Sequence, residues 1–296
     1  MAKKQDYILG AILLAVFALF VVFFMVMMFG LSNQPEMTLS GGGDKIAVVE
    51  LNGVIMTPTD IVRQFRRFQK DATVKAIVLR INSPGGGVAP SQEIYEHVRR
   101  VRDSGKPVVA SMGTVAASGG YYVALGSSVI MANPATTTGS IGVIAEFPNF
   151  GKLLDKVGVD MVVIKSGKFK DTGTPYRGLR PDEVQYLQGW IDDAFDQFVD
   201  TVVKERELSR DKVLQLADGR VYTGIQARNE ALIDTLGTYY DAIKLAAEMG
   251  GIKGEPKILR ERQRKITIFD ILSEDVRTVL SNFVSLWPEA KYQMKF

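Results

Sequence analysis

Two nearly unbroken apolar runs, each closed by a glycine-rich loop, constrain this chain most. "ATVKAIVLRINS" (72–83) leads into "INSPGGG" (81–87), and "PVVASMG" (107–113) leads into "TVAASGG" (114–120). A strand with one solvated face alternates apolar and polar residues. A continuous run instead predicts a strand covered on both faces, the position strands take in a parallel sheet flanked by helices. The neighbouring segments fit that frame. "KIAVVELNGVI", "VIMANP" and "DMVVIKSG" (160–167) read as further strands. "SQEIYEHVRRVRDSG" (91–105) reads as an amphipathic helix with Ile94, Val98 and Val101 on its apolar stripe and Gly105 at its C-terminal cap. "GGYYVALGSS" predicts a short buried helix. Residues 181–206 predict a long one, with Val184, Leu187, Ile191, Phe195, Phe198 and Val202 on one stripe. Further helical patterns cover 209–217, 223–230 and 238–249. Strands alternating with helices predict an α/β fold with a largely parallel sheet and right-handed crossovers.

The two ends differ from this middle. Lys3, Lys4 and Asp6 precede an uncharged run, Tyr7–Leu31. As a helix, residues 8–31 would reach ~36 Å, enough to cross a bilayer with some tilt. The run is longer than a signal-peptide core, and "LSNQPEM" offers no clear cleavage site, so it reads as an uncleaved anchor. Lys3 and Lys4 then stay cytoplasmic and the rest of the chain lies outside the cytoplasm. "SNQPEMTLSGGGD" (32–44) reads as a tether. In the tail, 266–287 carries a wide helical stripe (Ile268, Ile271, Leu272, Val276, Val279, Leu280, Phe283, Trp287) suited to the core or a neighbouring subunit. The basic run "RERQRK" (260–265) reads as a solvated face.

Composition removes several chemistries. No cysteine is present, so there is no thiol nucleophile or thiolate metal site. The single histidine, His97, makes a zinc site improbable and is the one available partner for a Ser-His-Asp triad. A net charge of +3 with interspersed signs carries no nucleic-acid signature. Both glycine loops lie beyond strand ends, where parallel sheets gather ligands. Gly85–Gly87 lead towards a helix start, so their N–H groups suit an anion or oxyanion, although glycines also serve plain tight turns. Pro90 rules out the dinucleotide fingerprint, and no Walker Lys-Ser/Thr follows. In the second loop, Ser118 is either a helix cap or a nucleophile beside the Gly119 N–H. The elbow pattern G-x-S-x-G is not met, because Ala116 stands at its first glycine. His97 lies at the border of a helix stripe among Glu96, Arg99 and Arg100 and reads as structural, so a base for Ser118 should be a lysine. A lysine serves only when desolvation lowers its pKa by about 3 units. "VVIKSGKFKD" offers Lys165, Lys168 and Lys170, and spacing does not choose among them. Ser209 and Lys212 match S-x-x-K, but they open a helix without the partner motifs, so Ser209 reads as a cap.

"RINSPGGGV", "AASGGYYVA", "TGSIGV" (138–143), "SGKFKDTGTP" (166–175) and "DGRVYTGIQA…LID" (218–234) together resemble the short-form signal peptide peptidase A family, in matching order over roughly residues 45–250. The residues themselves give 1–31 as cytoplasmic tip and transmembrane anchor, 32–44 as linker and 256–296 as an amphipathic helical tail, in which no family motif is found. The resemblance implies a Clp protease/crotonase-like fold, with 45–255 as a Ser-Lys peptidase domain. It implies Ser118 as nucleophile, Lys170 as general base, Ser140 as the residue orienting the lysine, and Gly86 and Gly119 as oxyanion-hole donors, with no metal or cofactor. It further implies signal peptides as substrates and a homo-oligomeric ring whose serine and lysine come from neighbouring subunits. The location implied is the bacterial inner membrane, with the catalytic domain on the periplasmic side. The chain departs from the family at Ala231, where glycine is frequent. Two other readings remain: a crotonase-like acyl-CoA enzyme, which the anchor opposes, and a silent membrane scaffold, which the complete serine–lysine set opposes.

Overall fold

A computed structural model describes residues 43–261. The anchor at 8–31, all but the end of the tether and the 266–287 stripe lie outside the described residues.

The middle of the sheet is β1 (Lys45–Asn52), β2 (Val74–Ser83) and β3 (Val108–Ala117), paired in parallel. The apolar run of β2 divides between two layers. Ile77, Leu79 and Ile81 join one core with Phe65 and Phe68 of α1 (Thr59–Lys70) and Ile94, Val98 and Val101 of α2 (Val88–Asp103). Ala76 and Val78 join a second core, whose members Ala242, Ile243, Ala246 and Ala247 appear on the late helix detailed below. Alternate side chains thus point to opposite, equally dry faces, which is why Ala76–Leu79 is apolar at every position, with Arg80 the first polar residue after it.

α2 starts three residues before the stretch read from sequence. Pro90 fits in its first turn, where an N–H has no helical acceptor. Gly105 follows its end with φ +87°, as a left-handed cap requires. α3 (Gly119–Ala124) is short and wholly buried. Beyond it, β4 (Val129–Ala132) and β5 (Thr137–Gly139) both pair with β3 in parallel, at successive stretches of that strand. After α4 (Gly151–Val157), α5 (Pro181–Arg206) has the bounds read from sequence, with Pro181 at its first position. α6 (Arg210–Leu216), β6 (Val221–Thr223), α7 (Gly224–Asn229), β7 (Thr235–Leu236), α8 (Tyr239–Met249) and β8 (Lys257–Arg260) complete the domain. β6 is antiparallel to β5; every other pairing of named strands is parallel. Among the described residues no helix is long and apolar enough to cross a membrane.

One sequence expectation is corrected. Residues 160–167 form no strand. A strand exists only with a partner, and among the described residues none of this segment pairs into the sheet. Its side chains face outwards: Val162 is 87 % and Ile164 96 % exposed. No residue from 142 to 182 is buried. The long stripe of α5 divides accordingly, with Phe198 and Val202 in the core and Val184 exposed.

Ala231 has φ +59°, the left-handed region glycine favours, on an exposed turn after α7. That conformation costs a non-glycine residue ~1–2 kcal/mol, of which glycine's extra unfolded-state entropy would cancel part. Ala231→Gly is therefore expected to raise thermal stability by about 0.5–1 kcal/mol, read as a rise of a few degrees in Tm by calorimetry.

Candidate active site

β3 ends at Ala117 and α3 begins at Gly119, so Ser118 alone turns the chain from strand to helix. Its φ of +52° and ψ of −120° place it in a sparsely populated region. This is the sharp, strained strand-to-helix turn of a nucleophile elbow, adopted here without the first glycine of the motif. The conformation is fixed from both sides: the Ser118 N–H donates to the Gly139 carbonyl at 2.8 Å, and its carbonyl accepts from the Tyr122 N–H at 2.9 Å. The hydroxyl caps nothing, so the helix-cap reading of Ser118 is set aside.

The first glycine loop lies directly against this turn. Ser83 Oγ accepts the Gly85 N–H at 3.1 Å. The Gly85 carbonyl accepts from Ile55 N–H at 2.9 Å, and Gly87 N–H donates to the Ile55 carbonyl at 2.8 Å. Gly86 is thus strapped between two bonds to Ile55. A Cβ on Gly86 would lie 2.3 Å from the Ile55 carbonyl oxygen, and one on Gly119 would lie 2.5 Å from Ser91 Oγ. The Gly119 Cβ position is also 3.3 Å from the Gly86 nitrogen. Glycine at both places lets two backbone nitrogens converge beside Ser118. Among the hydrogen bonds of the described residues, none uses the Gly86 or the Gly119 N–H. A pocket opens here, lined by Gly86, Val88, Ser118, Gly119, Tyr122 and Phe198 among others. A half-buried hydroxyl, two free N–H donors and an apolar wall can receive a carbonyl group and stabilise charge on its oxygen.

Ser140 follows Gly139, the backbone partner of Ser118, and is itself held at φ +51° with its N–H on the Arg220 carbonyl at 2.9 Å. Sequence-predicted Ser118, Gly86 and Gly119 therefore line one pocket, and Ser140 is next in the chain to Gly139, whose carbonyl holds the Ser118 N–H. Lys170 does not join them: it is exposed, in the 142–182 stretch, and absent from the pocket lining. The three candidate lysines differ in their surroundings. Lys165 Nζ pairs with Asp171, and Lys168 Nζ pairs with Asp182 at 2.6 Å. Lys170 Nζ makes no ion pair among the described residues. His97 is half-buried on α2 with Nδ1 3.0 Å from the Glu93 carbonyl, as a structural residue. Ser209 Oγ caps α6 by accepting the Lys212 N–H.

Sequence reasoning missed the charged cluster beside Lys170. Glu183 is fully buried at the start of α5, with both Arg177 terminal nitrogens at 2.8 and 2.7 Å. Those Arg177 hydrogen bonds, followed by the Arg180 backbone N–H, push the Glu183 carboxyl down to about 2. The Lys165 and Arg177 hydrogen bonds hold Asp171 well below the usual carboxylate range. The signal was present in Pro181-Asp182-Glu183 after two arginines, but acids in a first turn are ordinary helix-start residues. A carboxyl lowered from 4.5 to about 2 contributes stability that is complete above pH 4.5 and lost as pH falls through 2. Acid titration is thus expected to loosen the start of α5 in that window, read by Trp190 fluorescence in a Trp287→Phe background; an unchanged signal down to pH 2 would contradict it.

The family model for peptidase family S49 matches residues 100–253, and the Clp protease model matches residues 49–140. The chain belongs to peptidase family S49. It is a serine peptidase, and the S49 match takes in the turn at Ser118, the Ser140 loop and the whole Lys170 segment. A putative protease of Synechocystis sp. is 46% identical over 209 residues, covering 70% of this chain and 75% of the relative. A putative signal peptide peptidase SppA of Enterococcus faecium is 36% identical over 230 residues, covering 73% and 67%. A chloroplastic serine protease SPPA of Arabidopsis thaliana is 34% identical over 251 residues, covering 79% of this chain but 37% of its own length.

Proposed function

We propose that this S49 peptidase is a membrane-anchored Ser-Lys enzyme that cleaves signal peptides, with Ser118 as nucleophile, Lys170 of a neighbouring subunit as general base, and Gly86 and Gly119 N–H groups as the oxyanion hole. The observation that carries it is the strained turn at Ser118 beside two N–H donors that nothing else uses. The shared site has separate support. Lys170 is exposed and outside the pocket, and its segment presents Phe150, Leu153, Val162 and Ile164 to solvent. Apolar surface of that extent favours burial against another copy, and the same burial would strip water from Lys170, as a lysine base requires. Lys165 and Lys168 are each engaged by a carboxylate, which leaves Lys170 as the one of the three whose amine makes no ion pair among the described residues.

In the reaction, neutral Lys170 Nζ takes the Ser118 proton as Oγ attacks the peptide carbonyl. The two N–H groups hold the oxyanion, and the Lys170 ammonium returns the proton to the leaving amine. Water then attacks the acyl-enzyme while Lys170 takes its proton and hands it to Ser118 Oγ. Ser140, one residue from the Ser118 backbone partner, would orient the incoming lysine. The anchor at 8–31 would hold the domain outside the cytoplasm near the bilayer, where signal peptides remain after release.

The test is covalent capture. Full-length protein in detergent is treated with a fluorophosphonate, digested and mapped by mass spectrometry. The expected label sits on Ser118 and is lost in Lys170→Ala. A label on another serine, or none on an active preparation, would overturn the assignment.

A further inference from the structure

Lys170 is exposed, yet the backbone around it is among the most heavily tied in the 142–182 stretch. On its N-terminal side, the Lys168 carbonyl accepts from Lys165 Nζ at 3.1 Å and from Arg180 Nη2 at 2.9 Å. Phe169 stacks on Tyr186 of α5 with ring centroids 5.1 Å apart. On its C-terminal side, Asp171 binds Lys165 and Arg177, its carbonyl accepts from Arg177 Nη2 at 3.2 Å, and Thr172 Oγ1 donates to Glu183 Oε1 at 3.1 Å. These ties converge on Glu183. Its carboxylate receives Arg177 twice, the Arg180 N–H at 2.8 Å, the Arg180 guanidinium at 2.8 Å and Thr172, while itself 0 % exposed. A buried, fully bonded carboxylate is rigid, because losing any partner strands charge in a dry site. It is out of place in a segment that buries nothing else, unless the segment must keep its shape before anything packs on it.

We propose that Glu183 is a positioning residue for catalysis: its buried carboxylate, acting through Thr172, Arg177 and Arg180, sets the backbone on both sides of Lys170 and so presents that lysine in a fixed place to the neighbouring subunit's serine. This rests on the Ser118–Lys170 reading above. Glu183 touches neither substrate nor reacting atoms. Its effect reaches the reaction through lysine placement, and a displacement of about 1 Å there is worth about 10²-fold in rate.

The experiment measures kcat and KM on a fluorogenic peptide for the full-length protein in detergent, with native mass spectrometry of the assembly, for wild type, Glu183→Gln, Thr172→Val and Lys170→Ala. Glu183→Gln keeps the shape but replaces one acceptor oxygen by a donor facing arginines. It is expected to lower kcat by about 10²-fold with KM within about twofold and the assembly intact. Thr172→Val removes a single tie and is the variant that should fold regardless; it is expected to lower kcat by about three- to tenfold, again with KM unchanged. Unchanged kcat in both variants, with Lys170→Ala inactive, would overturn the role of Glu183 and leave the dyad standing. A loss that follows dissociation of the assembly, or that appears in KM rather than kcat, would reduce Glu183 to a structural residue and also overturn it. Activity retained in Lys170→Ala would remove the dyad reading itself, and this proposal with it.

Discussion

Ser118→Ala is expected to abolish peptide hydrolysis, lowering kcat/KM by about 10⁴-fold or more, with fold and assembly intact. The size follows from chemistry: without Oγ there is no acyl-enzyme, and only binding and the oxyanion donors remain. The intact fold follows from the structure. Ser118 is held at φ +52° by backbone bonds to Gly139 and Tyr122, which alanine keeps. Its hydroxyl caps nothing, so its removal orphans no cap. Calorimetry should place the variant within about 1 kcal/mol of wild type. A variant that loses activity by melting would instead mark Ser118 as structural.

Lys170 variants carry the second large effect. Lys170→Ala is expected to lower kcat/KM by about 10³-fold or more, and Lys170→Arg to be no better. Arginine keeps the positive charge but cannot give up its proton, so the pair separates a base from a mere cation. Because only the neutral amine accepts the serine proton, wild-type kcat/KM should rise with pH and the residual rate of both variants should not follow that rise. Lys165→Ala and Lys168→Ala should each retain far more activity, since those side chains pair with Asp171 and Asp182. Activity surviving in Lys170→Arg would sink the general-base role.

The core was legible in the sequence because burial on both faces leaves an unmistakable mark. Ile77 and Val78 of β2 belong to different cores, so neither position could be polar. The run Gly85–Gly87 and Gly119 were legible as possible donors beyond strand ends, while the choice of Gly86 within its run came from the family resemblance; only the folded chain shows that a Cβ at either place would strike Ile55 or Ser91. Other features left weaker marks. The strained turn at Ser118 is imposed by its bonds to Gly139 and Tyr122, which no local motif encodes. The stretch at 160–167 has strand-like apolar residues but pairs with no described strand, and hydrophobic spacing reports a preference for burial without naming the partner. Glu183 looked like any acid in a first helical turn; its burial depends on Arg177 and Arg180 folding back over it. Among the lysines, only tertiary placement separates the two held in ion pairs from the one that is not.

The central claim, one active site built from two copies, is tested most directly by complementation. Full-length Ser118→Ala and Lys170→Ala chains, each inactive alone, are co-expressed in equal amounts, purified as mixed assemblies and assayed for peptide hydrolysis. If serine and lysine come from neighbouring subunits, random head-to-tail mixing joins an intact serine to an intact lysine at about a quarter of the sites, and about a quarter of wild-type activity returns. If mixed assemblies form, as native mass spectrometry would show, and activity stays at the level of either variant alone, each site draws both residues from one chain and the shared site is contradicted.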